Sequence, residues 1–276
     1  MNRPEQPGRL MPIPDLQSGK DERHLAIDQV GIKDIRFPVT FADGGGIAQA
    51  TVAQCNVYVA LPEDRKGTHV SRMVMLLEER FAPNAQPLSV AGLRALLDDL
   101  VRRLNVAGGR IELRFPFFVR KMAPISGVAS LLDYEVALTA ELADGQFAMT
   151  IAVAVPVTSL CPCSKEISEY GAHNQRSRVT ITVRPNEPVT VHELLRIAEE
   201  EASCELYGIL KRPDEKYVTE RAYDNPRFVE DLVRGVAARL AADPRFKGRC
   251  NGFSVEAENF EAIHNHSAYA RIAQGF

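Results

Sequence analysis

Residues with metal-binding and nucleophilic chemistry are concentrated between positions 159 and 176. This segment contains two thiols, Cys161 and Cys163, and one imidazole, His173. Thiolate and imidazole are common ligands of zinc and other divalent transition metals. A structural zinc site needs four protein ligands, and the chain has no CxxC pair, so a three-ligand catalytic site with an open position is favoured. A nucleophilic cysteine and a structural segment without metal are the alternatives. Either sulfur could be the ligand.

Three further places contain groups that could act with this segment. Glu215 lies in the polar segment 211–216, which we predict to link two helices, and a solvated loop charge is its simplest interpretation. Glu230 lies near the start of a predicted helix, at the edge of its apolar face, where a carboxylate suits the helix dipole. His264 and His266 share one side of an extended chain, which suits metal binding, acid–base catalysis or phosphate contact.

The elements that would position these residues occur in the order ββααββ, twice. Alternating apolar residues predict strands and apolar residues at spacings of three and four predict helices. Ser89 and Thr190 are predicted helix N-caps, the latter in a capping box with Glu193. Helix pairs between runs of strands favour an α+β fold with antiparallel sheets. The predicted strands are 32–41, 47–61 (after a turn at 44–46), 111–119, 134–140, 147–157, 178–183, 253–257 and 268–273; the predicted helices cover 71–80 and 89–106 and begin at Thr190 and Asn225.

Composition limits the class of protein. The chain has 276 residues, 45% hydrophobic and 25% charged, which is typical of a globular protein. Its net charge of −3 argues against a nucleic-acid partner. Five scattered cysteines argue against a disulfide framework, and no secretion signal or membrane-spanning run occurs, so we expect a cytoplasmic protein without a membrane partner. We predict a poorly ordered tail over residues 1–30 and modules over 31–143 and 144–276.

Four stretches of the chain resemble signature sequences of the type IB GTP cyclohydrolases: residues 161–176, 66–72, 225–231 and 261–270. The resemblance covers nearly all of the chain after the tail. It implies the tunnelling fold, with two tandem ββααββ modules in each subunit, the second carrying most of the active site. It also implies a homotetramer that closes the strands into a barrel, with active sites at the subunit interfaces.

The resemblance further implies a reaction: GTP and water give 7,8-dihydroneopterin triphosphate and formate, the entry to folate synthesis. One divalent metal (zinc, manganese or ferrous iron) would be held by Cys161, His173 and Glu215, with Cys161 essential for turnover. Glu230 would anchor the guanine, and His264 and His266 would transfer protons. The role of Cys163 stays open. The triphosphate would be held by a cluster of basic residues: Lys66, His69, Arg72, Lys165 and Arg176.

Two alternatives to this function remain. Another tunnelling-fold enzyme, the nitrile reductase of deazaguanine synthesis, uses a nucleophilic cysteine and NADPH, but its expected cofactor motif is not visible in the sequence. A non-catalytic zinc-binding module would need four protein ligands and would lose no reaction when Glu230 is replaced.

Overall fold

A computed structural model describes Gln17 and residues 19–44, 46–244 and 246–276. Residues 1–16 of the predicted tail and Gly45 of the predicted turn lie outside the described residues. The first strand begins at Ile27, ahead of the predicted module boundary at residue 31. No helix in the described part of the chain is long and apolar enough to cross a membrane.

The described residues form an α+β structure in which most elements match the predicted ones. The strands are β1 (Ile27–Phe41), β2 (Gln49–Leu61), β3 (Gly109–Met122), β4 (Ala129–Ala143), β5 (Gln146–Leu160), β6 (Asn174–Pro185), β7 (Cys204–Glu205), β8 (Cys250–Asn259) and β9 (Ala268–Gln274). The helices are α1 (Val70–Arg80), α2 (Val90–Leu104), α3 (Pro162–Ile167), α4 (Val191–Glu201), α5 (Arg212–Asp224) and α6 (Val229–Ala242).

All strand neighbours pair antiparallel in one open sheet of the order β1-β2-β3-β4-β5-β6-β8-β9, and the short β7 pairs with β5. The predicted division at residues 143 and 144 falls at the hairpin between β4 and β5. Asp144 and Gly145 form this turn with φ of +51° and +73°. Two consecutive residues with positive φ are characteristic of the tight turn that matches strand twist. The sheet is therefore continuous from one half of the chain to the other.

The core lies between one face of the sheet and the helices. In α2, Leu93, Leu96, Leu97, Leu100 and Leu104 are buried, as their spacing predicts. The predicted caps are confirmed: Ser89 Oγ accepts from the Gly92 N–H, and Thr190 and Glu193 form a reciprocal capping box. Buried apolar residues from both halves of the chain belong to one cluster.

The β1–β2 connection reaches across to the second half of the chain. Asp43, which is buried, accepts hydrogen bonds from the backbone N–H groups of Val191 (2.8 Å) and His192 (3.0 Å). Its carboxylate also lies 2.6 Å from Nδ1 of His192. These donors belong to the first turn of α4, where no intrahelical acceptor exists. A residue of the first half of the chain therefore satisfies N–H groups of a helix in the second half.

Two predictions about the second half are wrong. The segment after Lys211 is the helix α5 and not a polar link, so the second half has an additional helix. The second predicted helix does not begin at Asn225; Asn225 ends α5, and its Nδ2 donates to the Ala202 carbonyl (2.8 Å). Helix α6 begins after Phe228, because the Asp231 carboxylate reaches back to the Phe228 N–H (2.9 Å).

Candidate active site

Cys161 and His173 lie together where β5 ends and β6 begins. The Cys161 N–H donates to the His173 carbonyl (3.1 Å), which closes the connection between the strands into a loop. Ser164 fastens this loop, because its Oγ donates to the Cys161 carbonyl (3.2 Å) and accepts from the His173 N–H (3.2 Å). Both Cys161 and His173 are half-buried. The structure thus holds the residues that carry the predicted thiol and imidazole in one hydrogen-bonded loop.

The two cysteines of the Cys-Pro-Cys sequence differ in environment. Cys161 is the N-cap of α3, and its Sγ accepts from the Ser164 N–H (3.5 Å). Cys163 lies inside that short helix and is exposed. The two sulfurs are therefore not equivalent candidates for a ligand, because Cys163 lies inside α3 and helical residues two apart point to different sides. Cys161 is the cysteine whose backbone is bonded to His173.

The remaining cysteines are elsewhere. Cys204 lies in β7, beyond the end of α4 at Glu201, and pairs with Thr158. Burial raises the pKa of the Cys204 thiol to about 12 and that of Cys55 likewise to about 12. Both are protonated packing residues. Cys250 is half-buried at the start of β8.

Glu215 lies in the first turn of α5, a position that the sequence did not predict as helical. Val218 and Ala222 follow it at spacings of three and seven, so they share its helix face. Ala222 forms a small buried cluster with Leu160, against which Val218 and Ala172 pack. Helix α5 therefore presents this face to the segment that carries Cys161 and His173. The Glu215 side chain is exposed, one turn beyond these contacts.

The adjacent Asp214 fixes the start of α5. Its buried carboxylate accepts from the N–H groups of Ile125 and Ser126 (2.8 Å each), from Ser126 Oγ (2.6 Å) and from the Lys211 N–H (2.8 Å). Desolvation raises the pKa of this carboxyl, but these hydrogen bonds outweigh it and hold the pKa well below its ordinary value. The β3–β4 connection and the helix that carries Glu215 are thereby joined.

Within the described residues of one chain, no three His, Cys, Asp or Glu side chains are gathered closely enough to hold a metal. Cys161 and His173 form two thirds of the predicted set, and Glu215 stands on the neighbouring helix face. The donor types themselves, one sulfur, one imidazole nitrogen and one carboxylate, suit zinc, manganese or ferrous iron.

Glu230 lies in the first turn of α6, close to the same end of β5. The segment between α5 and α6 is hydrogen-bonded to that strand end, because the Arg227 N–H donates to the Leu160 carbonyl (3.0 Å). Glu230 is exposed, whereas its neighbours Val229 and Leu232 are buried. Its carboxylate is therefore available to a ligand at the positive end of a helix.

His264 and His266 lie on the β8–β9 connection with their rings stacked. The ring centres are 4.9 Å apart and the planes differ by 13°. The connection starts beside β6, since the Phe260 N–H donates to the Arg176 carbonyl (3.0 Å). Both imidazoles are exposed. The two rings lie together, but the backbone bends here and is not the extended chain from which a shared side was predicted.

The predicted cations divide into two groups. Arg176 is exposed at the start of β6, and the Lys165 ammonium donates to the Tyr223 carbonyl and lies 4.3 Å from the centre of the Tyr223 ring. Lys66, His69 and Arg72 surround the start of α1, beyond the end of β2. Pairing through β3 and β4 sets that end of β2 level with the start of β5.

The second group is therefore far from Cys161 in the same chain. β5 has 15 residues, so its two ends lie about 45 Å apart at about 3.3 Å per residue. The start of α1 is suited to an anion, because its first turn contains no acidic residue. Lys66 and Arg72 are exposed beside it.

A cavity of about 410 Å³ lies between the β5–β6 end and α5. Its lining includes Gln175, Arg176, Glu205 and, from α5, Thr219 and Ala222. This volume is within the range of small-molecule sites. It borders the loop that holds Cys161 and His173.

Four buried polar residues beside His173 were missed by the sequence reasoning: Ser159, Gln175, Ser177 and Asn259. They continue the inward-facing alternation of β5, β6 and β8, in which the other inward residues are apolar. Polar residues at inward positions of an otherwise apolar strand face are the signal that could have identified them.

A family model described as type I GTP cyclohydrolase folE2 matches residues 13–270 of the chain. The protein named GTP cyclohydrolase FolE2 2 from Cupriavidus metallidurans is 58% identical over 260 residues, covering 94% of each chain. GTP cyclohydrolase FolE2 from Paraburkholderia xenovorans has the same identity and coverage. That from Neisseria meningitidis serogroup B is 55% identical over 261 residues, covering 95% of this chain and 85% of its own.

Among solved structures, the chain is similar to a hyperthermostable mutant of urate oxidase from Bacillus sp. TB-90. The TM-score is 0.54 at 8% identity, with 90% of this chain and 98% of that chain covered. A chloride-free structure of urate oxidase from the same source gives a TM-score of 0.52 at 8% identity, covering 90% and 99%. At such identity the likeness concerns the fold alone, and it supports the tunnelling-fold architecture.

Proposed function

Because the chain belongs to the type I GTP cyclohydrolase FolE2 family, we propose that it converts GTP and water to 7,8-dihydroneopterin triphosphate and formate with a divalent metal in its active site. The observation that carries the proposed site is the hydrogen-bonded unit of Cys161 and His173 at the end of β5. Five free cysteines support a cytoplasmic location for the reaction.

The metal ligands of this proposal are Cys161, His173 and Glu215. Their donor atoms fit zinc, manganese or ferrous iron, and three protein ligands leave a position open, as catalytic sites require. A divalent ion held there supplies a water that is nucleophilic at neutral pH, as opening the imidazole ring of guanine at C8 demands. The packing of Val218 and Ala222, on the α5 face that carries Glu215, against Ala172 and Leu160 supports Glu215 as the third ligand.

Glu230 binds the guanine in this proposal. A carboxylate accepts from both N1–H and the exocyclic amino group of guanine, and adenine lacks that pair of donors. The exposed position of Glu230 in the first turn of α6, next to the segment bonded to Leu160, supports this role. Specificity for guanine would then come from two charge-assisted hydrogen bonds.

His264 and His266 transfer protons in this proposal. Ring opening and the rearrangement of the ribose both need groups that gain and lose a proton near neutral pH, which imidazole does. Their stacked, exposed rings stand on the connection that begins beside Arg176. This arrangement keeps both rings at the same end of the sheet as Cys161.

The triphosphate is held by cations from two chains in this proposal. Arg176 and Lys165 belong to the same end as Cys161, whereas Lys66, His69 and Arg72 come from the α1 end of a neighbouring subunit. The length of β5 and the absence of acidic residues from the first turn of α1 support this division. A homotetramer that closes the strands into a barrel would pair the open edges at β1 and β9 and bring the two ends together.

Replacing Cys161 and Glu230 separately tests the division of roles. We expect Cys161→Ala to abolish formate release and to lower the metal content measured by mass spectrometry. Glu230→Ala should abolish GTP binding but keep the metal. Cys250→Ala, which removes an equally half-buried thiol outside the site, is the control and should change neither quantity. Loss of metal in Glu230→Ala, or full metal content in Cys161→Ala, would contradict the assignment.

A further inference from the structure

A row of buried polar side chains crosses three strands behind His173. Gln175 stands opposite Ser159 on β5, and Ser177 stands opposite Asn259 on β8. Their side chains are almost fully buried, with 8%, 0%, 1% and 3% exposure respectively. Buried polar groups at these positions must be satisfied by one another.

The heavy-atom contacts form one unbranched chain of hydrogen bonds. His173 Nδ1 lies 3.0 Å from Gln175 Oε1, and Gln175 Nε2 lies 2.7 Å from Ser159 Oγ. Ser159 Oγ and Ser177 Oγ are 2.9 Å apart, and Ser177 Oγ lies 2.7 Å from Asn259 Oδ1. Every link is within hydrogen-bond distance.

The orientation of the Asn259 amide, with Oδ1 toward Ser177, sets the direction of every bond. Asn259 Oδ1 can only accept, so the single hydroxyl proton of Ser177 goes to Asn259. Ser177 must then accept from the Ser159 hydroxyl, and Ser159 accepts from the Gln175 amide. Gln175 Oε1 is left as an acceptor, and the proton between it and His173 must lie on Nδ1 of the imidazole.

We propose that Gln175, held by Ser159, Ser177 and Asn259, is a positioning residue that keeps neutral His173 in the Nδ1–H tautomer and leaves its Nε2 lone pair for the metal. This inference deepens the proposed metal site and rests on it for the identity of the ligand. Reversing every bond in the chain would place the proton on Nε2, where it would block coordination. Gln175 is only 8% exposed, so its amide is held in one orientation. That orientation decides whether Nε2 of His173 can bind metal.

The tautomer can be measured directly in the full-length protein stripped of metal. We expect the imidazole nitrogen shifts of His173, read by long-range proton–nitrogen correlation on ¹⁵N-histidine protein above pH 8, to show a protonated Nδ1 and an unprotonated Nε2. An Nε2–H tautomer, or an even mixture of the two, would overturn the proposal. This reading needs neither the metal nor the reaction.

Variants of the chain separate positioning from packing. Gln175→Leu should weaken Zn²⁺ binding about 10- to 100-fold in a chelator competition, the range found when a ligand's outer partner is removed. Gln175→Glu should restore the affinity, because one carboxylate oxygen still accepts from Nδ1–H of His173 and keeps that tautomer. Wild-type affinity in Gln175→Leu, or no rescue by Gln175→Glu, would contradict the assignment.

Two serine variants extend the test along the row. Ser177→Ala interrupts the chain beyond Gln175, so the metal-free protein should show a mixture of His173 tautomers. Ser254→Ala removes another buried serine hydroxyl, on β8 outside the row, and should leave the Nδ1–H tautomer intact. Identical spectra for these two variants would refute the chain. Failure of wild-type protein to bind Zn²⁺ would instead refute the proposed metal site, while the tautomer of the metal-free protein still decides on Gln175.

Discussion

Mixing two inactive variants tests whether each active site is formed by residues of two chains. Cys161→Ala removes the thiol at the end of β5, and the double change Lys66→Ala with Arg72→Ala removes two exposed cations near the start of α1. About 45 Å of β5 separates these ends within a chain, much more than an extended nucleoside triphosphate spans. Each variant alone should be inactive at low GTP concentration, because every one of its sites lacks either a metal ligand or two cations that hold the triphosphate.

Co-expression of the two variants should restore activity. If the β5 end of one chain meets the α1 end of a neighbour, a randomly mixed assembly has about one quarter of its sites with both ends intact, because each end is intact with a probability of about one half. The variants carry different affinity tags, and tandem purification isolates the mixed assemblies. Formate release per site should then reach about a quarter of the wild-type rate.

A control mixture tests whether activity returns for a reason other than sites shared between chains. In this control the Cys161→Ala variant is co-expressed with the His173→Ala variant. Both residues belong to one hydrogen-bonded loop of the same chain, so no arrangement of the two variants restores a complete metal site. This mixture should stay inactive. If the first mixture is also inactive although both tags are present in the purified assembly, the division of the triphosphate site between two chains is wrong.

Three other perturbations test the structure around the site. Asp43→Ala should lower the free energy of unfolding by about 2–4 kcal/mol in urea titrations, because two N–H donors at the start of α4 lose their acceptor; a loss near zero would contradict the capping role. Asp214 has a lowered pKa, so the stability it contributes is present above its unfolded pKa of about 4 and is lost as the pH falls below that value. Asp214→Asn should therefore be less stable than wild type at pH 7, with a difference that narrows below pH 4; a constant difference would refute this. In native protein, iodoacetamide should modify the exposed Cys163 and spare Cys55 and Cys204, whose buried thiols have a pKa of about 12; early modification of either buried thiol, read by peptide mass spectrometry, would count against the fold.

Local sequence signals were sufficient to predict an element where only one pattern was present in its segment. The leucines of α2 bury one helix face, and the Thr190–Glu193 capping box satisfies its own donors, so both are readable without tertiary information. The β4–β5 hairpin also follows from a local cause, since Asp144 and Gly145 tolerate positive φ.

Helix α5 could not be read in this way. Only Val218 and Ala222 on it pack against a buried cluster, and the rest of its sequence is polar. Its position depends on Asp214, whose partners Ile125 and Ser126 belong to a distant hairpin. Because those contacts are tertiary, the segment that carries Glu215 resembles a loop when the sequence is considered alone.

The start of α6 shows two local signals in competition. Asn225 followed by proline has the pattern of a helix N-terminus, yet the Asp231 side chain caps the Phe228 N–H and sets the boundary three residues later. The proposed division of the active site between two chains is beyond any local pattern, because it depends on how subunits assemble. Only the resemblance of the four stretches pointed to it.

Formate release from GTP is the most direct test of the enzymatic account. The protein is stripped of metal, divided into portions that receive Zn²⁺, Mn²⁺, Fe²⁺ or nothing, and supplied with GTP. We expect formate and 7,8-dihydroneopterin triphosphate in equal amounts with at least one metal and no turnover without metal. If every metal-loaded sample leaves GTP intact, or if the metal-free sample turns over at the full rate, the proposed metal-dependent cyclohydrolase is wrong.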